Sequence, residues 1–213
     1  MFELNKFLEN QKITSLRPAQ EKAIEAGLLE DKNVLICTPT ASGKTLIAEM
    51  AMIKNISERK GKAIYIVPLK ALASEKYKNF KAKYDKICKV ALSIGDLDKN
   101  DSYLSDYDII ISTSEKLDSL IRHHTPWLKY IKTIVIDEIH LINDPGRGPT
   151  LEILITMLRE IIPHSQIIAL SATIGNPLEL STWLNANLIV DNWRPVELKK
   201  GILFEKKVQF HNN

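Results

Sequence analysis

The regular alternation of short β-branched apolar runs with stretches of helical periodicity limits this chain to one broad architecture. Runs at residues 33–37, 62–67, 89–93, 108–112, 133–136, 166–170 and 188–190 are short and apolar, most of them rich in Val and Ile, and read as strands. Between them lie segments at helical spacing: Leu46, Ile47, Met50 and Ile53 in one, then residues 69–80, 115–123, 150–161 and 177–184. Upstream, Pro18 suits the first turn of a helix that continues to residue 29. This order predicts an α/β fold, a mostly parallel sheet with helices on both faces, with ligands gathered at the carboxyl ends of the strands. At 213 residues and 45% hydrophobic content the chain can build one such domain with a sizeable core.

The first strand runs into Thr38-Pro39-Thr40-Ala41-Ser42-Gly43-Lys44-Thr45, and a helical pattern follows at once. A turn that leaves a strand end and enters a helix N-terminus concentrates backbone N–H groups and positive dipole at one point, which suits a triphosphate. Lys44 supplies a point charge for the β/γ-phosphates and the Thr45 hydroxyl a ligand for Mg²⁺. The strict form of this loop has Gly where Thr38 stands. On these eight residues alone, Gly43-Lys44-Thr45 also reads as an ordinary helix start with a solvated lysine.

A second cluster lies about ninety residues downstream, where Asp137-Glu138 follows the β-formers Thr133-Ile134-Val135-Ile136. Both carboxylates therefore leave the sheet at the edge where the loop emerges. Asp137 can hold Mg²⁺ opposite Thr45, and Glu138 can accept a proton from water attacking a γ-phosphate. In isolation the pair reads as two solvated acids; the upstream loop favours the catalytic reading. Gln20, near the start of the helix before the loop, offers the donor and acceptor needed for the N6/N7 edge of adenine, although a lone glutamine is usually a surface residue.

A net charge of +3 implies no general polyanion partner, so any basic surface must be local. Cys37 and Cys88 stand far apart without Cys or His at ligand spacing, which excludes a zinc module and fits small buried side chains in a reducing compartment. No apolar run approaches the roughly 20 residues that span a bilayer, and the N-terminus is unlike a signal peptide, so a soluble cytoplasmic location is expected. Arg122-His123-His124 with Trp127 reads as a helix end capped by cations, or else as a basic–aromatic patch. Trp183, spaced with Leu180 and Leu184, reads as core.

Taken in order, residues 38–45, Asp137-Glu138-Ile139-His140 and Ser171-Ala172-Thr173 resemble motifs I, II and III of superfamily-two DExH-box helicases. Leu16-Arg17-Pro18-Ala19-Gln20 looks like the glutamine motif of that family and Val67-Pro68-Leu69-Lys70-Ala71-Leu72 like motif Ia. Gly95-Asp96 and Thr113-Ser114-Glu115-Lys116 look like the next nucleic-acid-facing motifs. Arg147-Gly148-Pro149-Thr150-Leu151-Glu152 and Trp193-Arg194-Pro195-Val196 are similar to archaeal Hjm-type repair helicases, relatives of the Ski-like branch. In that family the first position of motif I is often not Gly, as with Thr38; Ala41 still departs from the Gly common in the wider superfamily.

The resemblance implies a RecA-like P-loop domain that binds ATP and Mg²⁺, with His140, Ser171 and Thr173 coupling the nucleotide site to a strand-binding face. Single-stranded or forked DNA would lie across the strand ends on the side away from Gln20, met by Lys70, Gly95, Thr113, Ser114 and Lys116; RNA is the alternative. Backbone and hydroxyl contacts to phosphates suit a motor indifferent to sequence. Lys116 alone reads equally as a solvated helix lysine. The expected domain covers residues 1–203, with 204–213 beginning a linker to a second RecA-like domain. The implied protein is an ATP-dependent 3′–5′ DNA helicase of replication-fork repair or recombination, of which this segment alone turns over little ATP. A Ski-like RNA helicase and a nucleotide-gated nucleic-acid-binding module are the competing readings.

Overall fold

The computed structural model describes residues 2–95, 101–197, 199, 201–205 and 207–210. Seven strands, β1 (Val34–Cys37), β2 (Lys62–Val67), β3 (Val90–Ser93), β4 (Ile109–Thr113), β5 (Ile131–Ile136), β6 (Gln166–Ser171) and β7 (Asn187–Val190), form one sheet in the order β3-β4-β2-β5-β6-β1-β7. Every pairing in it is parallel. The helices are α1 (Leu4–Asn10), α2 (Pro18–Glu25), α3 (Lys44–Ser57), α4 (Lys70–Tyr84), α5 (Ser114–Arg122), α6 (Gly148–Ile161) and α7 (Pro177–Leu184).

Side chains alternate across a strand, so each strand feeds two cores. Val34, Ile36, Tyr65, Val135, Ile168 and Leu170 face one side and pack with α2, α3 and α4 residues such as Ala23, Ile47, Met50 and Phe80. Leu35, Cys37, Ile64, Ile66, Ile134 and Ile136 face the other and pack with Leu117, Leu154, Leu158 and Leu184 of α5, α6 and α7. Burial on both faces is why the strands read as unbroken apolar runs. Only the edge strand β7 departs, with two of its four residues exposed.

Two expected elements differ. Helix α2 stops at Glu25 and not at residue 29, because Gly27 takes a left-handed φ of 91° and opens a separate 3-10 turn, Leu28–Glu30. The tail forms an antiparallel hairpin, β8 (Gly201–Phe204) with β9 (Lys207–Phe210), so the boundary expected after residue 203 falls inside a strand. Of the loop expected at 96–106, residues 96–100 lie outside the described residues, Asp96 among them; a 3-10 turn occupies Ser102–Asp106. No helix among the described residues is long and apolar enough to cross a membrane.

Candidate nucleotide site

The strand order brings distant chain segments together. β6 lies between β1 and β5, and β2 lies beside β5, so residues 38–45, 171–173 and 137–140 leave from three successive strands at one sheet edge. The register carries the alignment to the strand tips, with Cys37 opposite Ser171 and Ile66 opposite Ile136. Beyond the ladders, the Thr38 amide donates to the Ser171 carbonyl at 3.3 Å and the Asp137 amide to the Ile66 carbonyl at 2.9 Å.

The loop between β1 and α3 is held by its own side chains. Buried Thr38 and Ser42 share a hydroxyl–hydroxyl bond of 2.7 Å, while Thr40 and Ala41 at the tip are exposed. The turn requires two left-handed residues, Ala41 at φ 68° and Gly43 at φ 94°. The dihedral demands glycine at Gly43, where a Cβ would also meet Gln20 Nε2 at 2.5 Å and displace that amide. At Ala41 the chain carries the strain of a left-handed alanine. Arg17 Nη1 donates to the Ala41 carbonyl at 2.7 Å and its guanidinium lies 5.2 Å from the Trp193 ring centroid.

The Lys44 ammonium donates to the Thr38 and Pro39 carbonyls at 2.8 and 3.2 Å. Burial pulls its pKa below the ordinary lysine value, opposed by the charges of Glu138 and Asp137. Both acids are therefore within Coulombic reach of the loop lysine. Asp137 accepts from the Tyr65 hydroxyl at 2.7 Å and from the Glu138 amide at 3.1 Å. Lys76 of α4 donates to Thr45 Oγ1 at 2.9 Å and pairs with Asp137 Oδ2 at 3.3 Å. The two oxygens expected to hold Mg²⁺ thus converge on one cation. The pair of hard oxygen donors fits that metal, which needs few protein ligands when phosphate and water oxygens complete its octahedron.

Glu138 is left-handed at φ 56°, ψ 43°, and opens the 3-10 turn Ile139–Asn143. Its carboxylate lies 3.4 Å from His140 Nδ1, which also receives the Ala172 amide at 3.4 Å. That contact joins the acid cluster to the strand end carrying Ser171 and Thr173. Ser171 is buried beside Cys37 and Thr173 is exposed.

Gln20 is beside the loop, as expected, but is 3% exposed and its amide faces the protein. Nε2 donates to the Gly43 carbonyl at 3.0 Å and Oε1 accepts from the Arg17 amide at 2.9 Å. In this arrangement the glutamine braces the phosphate loop.

The residues expected to meet nucleic acid gather at the ends of the adjacent strands β2, β4 and β3, the half of the sheet away from Gln20. Lys70 is exposed at the start of α4, and Gly95, at φ 96°, faces open space. Thr113 and Ser114 are buried, with Thr113 Oγ1 capping α5 through the Lys116 amide at 3.4 Å. Lys116 corrects the expectation of an exposed basic contact. It lies on the inward side of α5 with Leu117 and Leu120, is 2% exposed, and pairs with Asp101 at 3.1 Å. A buried ammonium needs such a partner.

The basic–aromatic patch reading also fails: Trp127 is buried and Arg122 pairs with Asp118 one turn back at 2.8 Å. Trp183 packs against the core as expected. Lys76 and Tyr65 had no motif to mark them. The available signal for Lys76 was its register, between Ala73 and Phe80 on the apolar side of α4.

The parallel sheet and the loop joining β1 to α3 define an α/β domain of the RecA-like class. The sequence profile of the DEAD/DEAH box helicase family matches residues 17–180, and the chain belongs to that family. It is 58% identical over 221 residues to the ATP-dependent DNA helicase Hel308 of Methanocaldococcus jannaschii, covering 98% of this chain and 18% of the relative. To Hel308 of Methanococcus vannielii it is 55% identical over 208 residues (94% and 27%), and to that of Pyrococcus horikoshii 50% over 202 residues (95% and 28%). Among solved structures, the DUF1998 helicase MrfA bound to DNA matches with a TM-score of 0.73 and 28% identity, over 87% of this chain and 28% of that one. The chain spans less than a third of the length of each of these proteins.

Proposed function

We propose that this chain is the ATP-binding motor domain of an ATP-dependent DNA helicase, acting 3′ to 5′ on single-stranded or forked DNA in replication-fork repair or recombination in the cytoplasm. The observation that carries the reading is the convergence of Thr45 Oγ1 and Asp137 Oδ2 on a single cation, beside the loop lysine. That the named relatives are DNA helicases favours DNA over RNA.

In this reading Thr45 and Asp137 hold Mg²⁺, which when bound neutralises phosphate charge and orients the γ-phosphoryl group. Lys44 releases the Thr38 and Pro39 carbonyls and reaches the β/γ-phosphates. Glu138 takes a proton from the attacking water, while Asp137 stays fixed by Tyr65 and the Glu138 amide. The Gln20 amide retains one N–H and one lone pair for adenine. His140 relays a shift of Glu138 to the Ala172 backbone, and so toward Ser171 and Thr173. On the DNA side, Lys70 and the backbone around Gly95, Thr113 and Ser114 meet phosphates.

A second RecA-like domain in the same polypeptide would supply the arginine finger, worth about 10³–10⁵ in rate. The 213-residue chain is thus expected to bind nucleotide, to hydrolyse it barely, and not to unwind. ATP turnover measured on this chain and on the full-length protein, with DNA forks and RNA duplexes, tests the reading. Appreciable strand-stimulated turnover by the domain alone, or unwinding of RNA in preference to DNA, would contradict it.

A further inference from the structure

Lys76 projects from the inward side of α4, three residues after buried Ala73 and four before buried Phe80. Its ammonium lies 2.9 Å from Thr45 Oγ1 and 3.3 Å from Asp137 Oδ2. Tyr65 touches both partners: the ammonium is 5.3 Å from the ring centroid, and the Tyr65 hydroxyl donates to the same Asp137 oxygen at 2.7 Å. The side chains of Lys76 and Asp137 are only 16% and 11% exposed, so solvent screens this contact weakly. The other lysines of α4 differ, Lys70 and Lys78 being exposed. Lys76 therefore sets its positive charge against the two oxygens that would hold a divalent metal.

Two cations cannot share that oxygen pair at contact distance without strong repulsion. We propose that Lys76 is a built-in competitor for the metal: a positioning residue that keeps Thr45 and Asp137 at ligand spacing and swings out when Mg²⁺ enters. The proposal rests on the ATP and Mg²⁺ reading above. The domain then trades a standing internal ion pair for the metal, and the trade raises the Mg²⁺ concentration needed for nucleotide binding. The four-carbon stem makes the swing possible, since a lysine head can relocate by rotamer change while its base stays packed.

The test is a Mg²⁺ titration of nucleotide binding, read with a fluorescent ATP analogue on the 213-residue chain, alongside thermal melting in EDTA without nucleotide. Replacing a charge-assisted contact by a neutral one, Lys76→Gln is expected to lower the half-saturating Mg²⁺ concentration about tenfold. It should also lower the melting temperature in EDTA by about 3 °C, with recovery on adding Mg²⁺. Lys76→Met retains the apolar stem over Tyr65 and is the alternative if Lys76→Gln does not fold. Lys78→Gln controls for net charge and should match the parent chain. If the parent binds the analogue in a Mg²⁺-dependent way and the Lys76 variants show unchanged or raised half-saturation, the competitor role is overturned and the nucleotide site stands. If the parent shows no Mg²⁺-dependent binding, both are overturned.

Discussion

The Lys44 ammonium lies 2.8 Å from the carbonyl oxygen of Thr38, six residues back in the same loop. The loop is thereby closed on its own lysine, and the Thr38–Ser42 hydroxyl bond, Gln20 and Arg17 brace it further. For Lys44 to meet a phosphate, two carbonyl contacts must open while those braces stay.

Gly43 is where the bracing leaves least room. Gly43→Ala places a methyl 2.5 Å from Gln20 Nε2 at φ 94°, combining a left-handed alanine with a displaced amide. A loss of roughly 2–3 kcal/mol is expected, together with loss of nucleotide binding. Urea unfolding and an ATP-analogue titration on the same variant measure both.

Ala41 should respond in the opposite sense. Its φ of 68° costs an alanine about 1–2 kcal/mol, whereas glycine loses about 0.5–1 kcal/mol in backbone entropy. Ala41→Gly should therefore stabilise the chain by about 0.5–1 kcal/mol. A decrease in the urea midpoint would count against the strain assigned here.

At the opposite end of the sheet, Asp31 pairs with largely buried Lys54 at 2.6 Å and with Lys60 at 3.2 Å. Burial raises the Asp31 pKa, but the two lysines outweigh it, and the net pKa lies below the ordinary aspartate value. A carboxyl with a depressed folded pKa contributes stability that is present above its unfolded value of 3.8 and is lost as pH falls through the folded one. Asp31→Asn keeps the left-handed backbone, which asparagine tolerates, and leaves Lys54 unpaired; it should cost about 2–3 kcal/mol at pH 7. The cost should shrink in acid, and pH-dependent melting of the two chains decides it.

Cys88 is buried, and burial, followed by the nearby Asp108 and Asp85 charges, pushes its thiol up to about 12. Cys37 is raised in the same direction by burial. Reaction with iodoacetamide requires thiolate. At pH 8 the native chain should therefore resist labelling, and both cysteines should react in denaturant. Mass spectrometry showing rapid native labelling at either position would contradict the packing.

The sheet was legible because its strands are buried on both faces, which leaves unbroken runs such as Ile109-Ile110-Ile111. That the loop and the acid pair are neighbours was legible because each directly follows an apolar run that had to be a strand of one parallel sheet. Lys116 and Gln20 were not, since one-dimensional spacing marks which residues share an edge but not whether a side chain turns outward or into its own backbone. Lys76 was hidden for a related reason. On a helix with five lysines, only the packing of Ala73 and Phe80 singles out the one that faces inward. The β8–β9 hairpin has no long apolar run to announce it.

The central claim, that Lys44, Thr45 and Asp137 form one Mg²⁺–nucleotide site, is tested most directly by analogue binding in Mg²⁺ and in EDTA for the parent chain, Lys44→Ala and Asp137→Asn. The parent should bind more tightly with Mg²⁺. Lys44→Ala should weaken binding at least about tenfold in either condition, and Asp137→Asn should abolish the difference that Mg²⁺ makes. Unchanged affinity in Lys44→Ala, or a full Mg²⁺ effect in Asp137→Asn, would contradict it.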